Sequence, residues 1–341
     1  MWSALFIQPF LIAFALTIVF SLLLTSVHFF QDRWRLRERK RSKRTGGLSR
    51  FGGLAMMAAF FLTCFTDPHL VITPEFYGLF GASALVFLFG TWDDIAELGW
   101  KAQIFFQSAT AIVLFVFGMR ILSITNPFGG VLIFSSDHLI IFGFLLLFFW
   151  VLLIMNSINW LDGLDGLCGS VSFITFVTSF LLCLKPEVHQ PPIAILSAIG
   201  AGVSLGFLVF NIHPARILAG TAGSMFLGIV ISVLAVIAGT KIATAFLVLA
   251  LPIADAFFVI AHRLFSHASI FESDDRHLHY QLVRLGWSEK KITLFFASVT
   301  ACIAIIALHT AALGKFFAVI AVLVIVFSVI LFVHQRVRRI C

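Results

Sequence analysis

The sequence predicts an all-α polytopic membrane protein, and three observations carry that prediction. The 341 residues are 60% hydrophobic and only 11% charged, far from the balance of a soluble domain. Eleven apolar runs, each of about 17–25 residues, punctuate the chain. The cations fall almost entirely on one side of those runs once the sides are alternated.

The runs centre near Ala15, Ala58, Leu85, Val113, Leu147, Phe176, Val203, Ile229, Ile253, Ala301 and Val324, the second and sixth being short. The first, Leu5 to Phe30, is too long for the apolar core of a signal peptide and lacks a small-residue cleavage site, so it reads as a span. RWRLRERKRSKR (33–44) follows it and is the densest basic run in the chain, which places that loop in the cytoplasm. Alternation from there puts 19 of the 23 Lys and Arg inside, leaving only Arg120, Lys185, Lys241 and Lys315 outside. The N-terminus is then outside and the C-terminal RVRRI cytoplasmic. The net charge of +7 is therefore a product of topology and of contact with anionic lipid, not a nucleic-acid signal. Five Cys (64, 168, 183, 302 and 341) stand singly, without a CxxC, and indicate neither a disulfide framework nor a zinc site. The expected organisation is one integral-membrane domain over 1–341, with a basic cytoplasmic loop at 31–50 and a His-containing cytoplasmic loop at 263–291.

The same alternation brings every polar cluster with chemical potential to the cytoplasmic side: 92–101, 156–166, 211–224 and 263–291. A single active face fits that placement better than a pore, which needs polar residues along its spans and at both ends. The central cluster is NSINWLDGLDG (156–166). Its Asn156, Asn159 and Asp162 share one flank of a helix by their three-residue spacing. Polar groups at the end of an apolar run are costly unless they face a wet site, and converging oxygens suit a hard cation such as Mg²⁺ shared with substrate phosphates. Asp93-Asp94 puts two carboxylates side by side at a span's end, where a cation or a phosphate-transfer role relieves their repulsion. Lys101 lies one short loop beyond. Gly220-Thr221-Ala222-Gly223-Ser224 opens the eighth span with small residues whose free N–H groups suit an anion or whose size suits helix packing. Asp255 interrupts an apolar run and reads as a buried or site-lining residue. Arg276, His277 and His279 form a compact group of donors that fits a pyrophosphate better than a metal.

Taken in order, SRFGGLA (49–55), GTWDDIAELGWK (90–101), NSINWLDGLDGL (156–167), FNIHPARILAGTAGSMFLG (210–228), LPIAD (251–255) and DRHLHYQL (275–282) resemble the polyprenyl-phosphate N-acetylhexosamine-1-phosphate transferases. DRHLH looks like the WecA/TagO-like branch rather than the related MraY-type enzymes. The resemblance implies transfer of an N-acetylhexosamine-1-phosphate, GlcNAc first, from a UDP-sugar to undecaprenyl phosphate, with release of UMP. It also implies Mg²⁺ or Mn²⁺ as cofactor, a homodimer in some members, and a bacterial-type cytoplasmic membrane. Carried over residue by residue, it makes Asn159, Asp93, Asp94 and Thr221 the metal-site residues, with Asp93 and Asp94 also the catalytic candidates. Asp162, Asp165, Asn156 and Asn211 would bind nucleotide, and Lys101, Arg276, His277 and His279 phosphate.

Two positions depart from the family pattern. Its glycine block reads G-D-x-G-S, with the Asp implied as a metal ligand, and here that position is Thr221. Its His block ends in two consecutive His, and here the second is Tyr280. A hydroxyl is a poorer ligand for a hard cation than a carboxylate. An impaired paralogue that binds lipid phosphate or nucleotide without transfer is therefore one alternative. An ion-coupled transporter is another, but it would need polar residues near the midplane, where only Asp255 is a candidate.

Overall fold

A computed structural model of the protein describes residues 3–26, 50–134, 139–238, 242–266 and 276–340. The basic run at 33–44, with most of the expected 31–50 loop, lies outside the described residues, as do 267–275 of the His-containing loop.

Every one of the eleven expected centres falls inside an apolar helix. These helices are α1 (Gln8–Ser26), α2 (Gly52–Thr66), α3 (Pro74–Ala96), α4 (Trp100–Val116), α5 (Ile140–Leu161), α6 (Leu167–Cys183), α7 (Pro191–Asn211), α8 (Gly220–Ile237), α9 (Ile242–Val248) with α10 (Ala250–Phe265), α12 (Glu289–His309) and α13 (Ala312–Ile340); a short α11 (Leu278–Arg284) lies between α10 and α12. Seven are long and apolar enough to cross a bilayer, and the α9–α10 pair, bent by 74°, makes an eighth. The chain is thus a multi-pass membrane protein. Helices α2, α4 and α6 have 15, 17 and 17 residues, about 23–26 Å at 1.5 Å per residue, short of a hydrocarbon core of about 30 Å. Each begins where a polar motif ends: α2 after Arg50, α4 after the Asp93–Gly99 turn, α6 after Asp162–Gly166. The motif shortens the helix that follows it.

Local signals set several ends. Thr73 Oγ1 accepts from Phe76 N ahead of Pro74 to start α3, and Ser288 Oγ accepts from Lys291 N to start α12. One departure from an all-α reading is a small antiparallel hairpin, β1 (Ser123–Thr125) with β2 (Val131–Ile133), pairing Ser123 with Ile133 across a turn at Asn126–Gly130.

Helices α7 and α8 are the centre of the bundle, each 89% buried along its span. Helices α1 and α6 pack on α7, while α3 and α5 pack on α8. With lipid as apolar as leucine, close helix association depends on small residues and on satisfied polar groups. A side chain on Gly53 would lie 2.5 Å from the Gly223 nitrogen, so α2 and α8 touch backbone to backbone. Their ends are tied as well, Gly52 N donating to Leu218 O and Gly53 N to Ala219 O, both at 3.1 Å. On the far side of α8 the Trp150 indole donates to Ser232 O at 3.0 Å, which satisfies its one polar atom inside the core. The end of α3 meets the start of α8 as closely, since a side chain on Gly90 would lie 2.4 Å from the Ala222 Cα.

Candidate active site

The first turn of α8 is the hub. Its leading N–H groups have no partner within the helix, and two carboxylates take them: Gly220 N donates to Asp162 Oδ2 at 2.8 Å and Thr221 N to Asp94 Oδ1 at 3.1 Å. The anion for this helix end is therefore supplied by the protein itself, from the end of α3 and the cap of α5. Arg50, just before α2, reaches the same Asp94 oxygen at 3.2 Å. Gly220 makes the approach feasible, since it adopts φ +70° and a side chain there would sit 2.5 Å from Asp94 Oδ2. Asn159, one turn before Asp162, accepts from Ser224 Oγ at 2.6 Å.

These groups open on a cavity of about 840 Å³. Asp94, Asn156, Asn159, Asp162, Thr221 and His277 line it, so six of the sequence-derived candidates converge there. Its apolar lining comes from Trp100 and Ile104 of α4 and from Ala256, Val259 and Ile260 of α10. Burial, first, and the neighbouring Asp94 charge, second, push the Asp162 carboxyl up to about 8, although Arg50 and the Gly220 and Ala219 N–H groups oppose the shift. Below that pH the metal-free site carries a proton on Asp162.

The other candidates sit elsewhere. Asp93, adjacent to Asp94, turns into the protein: its Oδ2 accepts from Thr221 Oγ1 at 2.8 Å and its Oδ1 from Leu98 N at 2.9 Å. It closes the turn after α3, where Glu97 is left-handed at φ 51°, and it orients the Thr221 hydroxyl. Asn211 is 1% exposed and fully engaged, accepting from Gly166 N at 3.0 Å and donating to Ile217 O at 2.9 Å. Asn211→Ala orphans both backbone groups at about 1–3 kcal/mol each. The expected result is a lower unfolding temperature with an unchanged KM for the sugar nucleotide; a raised KM at unchanged stability would restore the nucleotide role. Asp165 lies outside the cavity, where its Oδ2 is 2.9 Å from His213 Nδ1 and accepts from Ala215 N at 2.9 Å, with Glu289 3.5 Å from the same His213 nitrogen. Lys101 is exposed over the Trp100 ring, at 5.6 Å. Arg276 Nη1 meets His262 Nδ1 at 2.9 Å, and His279 is fully buried behind His277, the two rings stacked at 5.8 Å. Of the Arg276–His279 group, only His277 reaches the cavity wall.

The cavity also contains residues that sequence reasoning passed over: Arg50, Gln103, Gln107, Trp160 and Arg263. Gln107 and Asn156 exchange reciprocal amide bonds at 2.8 and 3.0 Å, which locks both side chains. Arg263 is 5% exposed; the signal available in the sequence was only a cation at the end of the run that carries Asp255. Arg50 stood just before the paired glycines of SRFGG. Trp160 lay inside the central motif itself.

The glycosyl transferase family 4 pattern matches residues 76–239, from α3 through the end of α8. A Bacillus subtilis protein named a probable undecaprenyl-phosphate N-acetylglucosaminyl 1-phosphate transferase is 29% identical over 254 residues, covering 72% of this chain and 69% of its own. A decaprenyl-phosphate N-acetylglucosaminephosphotransferase of Mycobacterium leprae is 29% identical over 278 residues, covering 72% and 69%. A phospho-N-acetylmuramoyl-pentapeptide-transferase of Alkaliphilus oremlandii is 34% identical over 131 residues, covering 38% and 39%. The matched segment holds Asp94, Asn159, Asp162 and the α8 hub, and over that segment, just under half of the chain, the protein is similar to glycosyl transferase family 4.

Proposed function

We propose that this protein transfers N-acetylglucosamine-1-phosphate from UDP-GlcNAc to undecaprenyl phosphate, releasing UMP and leaving a lipid-linked pyrophosphoryl sugar at the cytoplasmic face of a bacterial cytoplasmic membrane. The observation that carries the reading is a cavity lined both by apolar side chains of α4 and α10 and by Asp94, Asn159 and Asp162, with Arg50, Arg263 and His277 also in its lining. A lipid phosphate and a sugar nucleotide need such a mixed surface. Counting α2, α4 and α6 as spans gives eleven and puts the N-terminus outside, in keeping with a cytoplasmic site.

The donor set fits a divalent cation. Two carboxylates lie beside one another, one of them raised to about 8 by burial and by its neighbour, and an amide oxygen stands one turn away. A hard cation replaces the proton and relieves the repulsion. Asp94, Asp162 and Asn159 would hold Mg²⁺, with Mn²⁺ as the substitute, and Thr221 serves by keeping Asp93 in place rather than as a charged ligand. When bound, the cation supplies neutralisation of the charge that builds on the leaving phosphate. The protein's own part is binding and orientation. Arg50, Arg263 and His277 neutralise and align phosphate oxygens, and the apolar wall of α4 and α10 excludes water from the polyprenyl chain. A phosphate monoester has its second pKa near 6, so the acceptor is already dianionic at neutral pH and attacks without a protein base.

The deciding experiment is UMP release by purified protein with UDP-GlcNAc, undecaprenyl phosphate and Mg²⁺, each omitted in turn. Release that needs all three is the expected result. No release by the wild type, with recovery in Thr221→Asp, would mean a decayed site; no release from either with a panel of UDP-sugars would overturn the transferase reading. Chelation by EDTA should abolish turnover, with recovery on added Mg²⁺ or Mn²⁺.

A pH dependence follows from Asp162. Its carboxyl is protonated up to about pH 8 without metal, so the cation must displace that proton. Cation affinity should rise about tenfold per pH unit from pH 6 and level off above pH 8, the slope expected for one displaced proton. Mn²⁺ titration between pH 6 and 8.5 measures it, with Asp162→Asn flattening the slope. A pH-independent wild-type affinity would contradict the displacement.

A further inference from the structure

Asp255 is 3% exposed in the apolar middle of α10, where an unpartnered carboxylate is expensive. Both of its oxygens are engaged: Oδ1 accepts from Leu278 N at 2.8 Å, and Oδ2 lies 2.9 Å from His277 Nδ1. The two residues come from opposite ends of the segment outside the described residues, so the pair ties the last cytoplasmic loop to α10. The His277 ring is further held by Trp160, centroids 5.2 Å apart at 30°, and by His279, 5.8 Å apart at 6°. A carboxylate only accepts, so it requires the proton on Nδ1. Nε2 is the nitrogen left for the cavity that His277 lines.

We propose that Asp255 is a positioning residue for the transfer reaction: it keeps His277 Nδ1 protonated and presents Nε2 to a phosphate oxygen of the sugar nucleotide. The proposal rests on the transferase reading. When Nε2 gains a proton from solvent, the ring donates to the phosphate while Asp255 stands as counter-ion on its other side. Phosphate, imidazolium and carboxylate then alternate in sign along one line of hydrogen bonds, and a charge-assisted bond of this kind is stronger than a neutral one. Nothing is transferred covalently; the pair fixes a geometry.

The test combines a spectrum and a cycle of variants. In protein labelled with ¹⁵N-histidine, with the His277 signals assigned by His277→Gln, the wild type should show the Nδ1–H form. Asp255→Asn leaves Oδ1 for Leu278 N and offers its amide N–H to the ring, so His277 should change to the Nε2–H form. The KM for UDP-GlcNAc should rise about tenfold, because the ring then gives the phosphate a neutral bond in place of a charge-assisted one, with a smaller change in kcat. In the His277→Gln background the same substitution should alter KM less than about twofold, because coupled residues are not additive. A neutral ring with its proton on Nε2 and none on Nδ1 in the wild type overturns the proposal without any variant. An equal rise in KM in both backgrounds also overturns it, leaving Asp255 as a cap for the start of α11. If the wild type releases no UMP, the transferase reading fails separately; the spectrum and calorimetric UMP binding, in place of KM, then decide the role of Asp255.

Discussion

Asp94→Asn is expected to lower UMP release by about a thousandfold or more, the scale of losing a preorganised electrostatic group at a reacting phosphate. Asp93→Asn, one residue away, should lower it by only about tenfold, as for one weakened hydrogen bond. The contrast comes from orientation. Asp94 lines the cavity and accepts from Thr221 N and Arg50, whereas Asp93 faces the turn after α3 and accepts from Thr221 Oγ1 and Leu98 N. An Asn at 93 retains one acceptor for the Thr221 hydroxyl or for Leu98 N; an Asn at 94 removes half of the paired charge that faces Asp162. Steady-state UMP release from the two purified variants, with Mn²⁺ affinity alongside, measures the difference. Equal losses would return Asp93 to the catalytic role that the sequence suggested, and near-normal turnover of Asp94→Asn would remove the metal reading altogether.

Gly220→Ala should reduce turnover by about a hundredfold, the cost of misplacing reacting groups by about an ångström. The residue holds φ +70°, and its new methyl would meet Asp94 Oδ2 at 2.5 Å and Arg50 O at 3.0 Å. Backbone strain alone is about 1–2 kcal/mol. The contact with Asp94 cannot be relieved by a flexible tip, because Asp94 is itself pinned to Thr221 N and Arg50. Helix α8 is anchored along its length by α3 and α5, so the chain should still fold and the damage should stay in the first turn. Retained thermal stability with lost Mn²⁺ binding is the expected pattern. A fully active Gly220→Ala would mean that Asp94 need not sit at the α8 terminus during turnover.

The helices were legible because each apolar run is long and each is bounded by Gly, Pro or a cluster of polar residues. The bend between α9 and α10 was not read, although Pro252 signals it: without an N–H for the Val248 carbonyl it interrupts the helical ladder beside Leu249. The hairpin at 123–133 was missed for a similar reason: three-residue strands have no periodicity to detect. At the site, Asp94, Asn159, Asp162 and His277 were named from motif and spacing. Asp93, Asp165, Asn211, Lys101, Arg276 and His279 came from the same motifs, yet the structure places them beside or behind the cavity. Motif membership marks a neighbourhood and not a direction.

What the sequence determined by itself was the membrane class, the helix order and the set of polar segments that gather at one end, because hydropathy and charge sidedness are summed over many residues. Which oxygen of which carboxylate faces the cavity was decided only by tertiary structure. Asp93 and Asp94 are adjacent on one helix end, and a rotation of about 100° per residue sends one to the α3 turn and the other to the cavity. The hydrogen bonds to Thr221 and the close approach of Gly90 on α3 to Ala222 on α8 set that rotation.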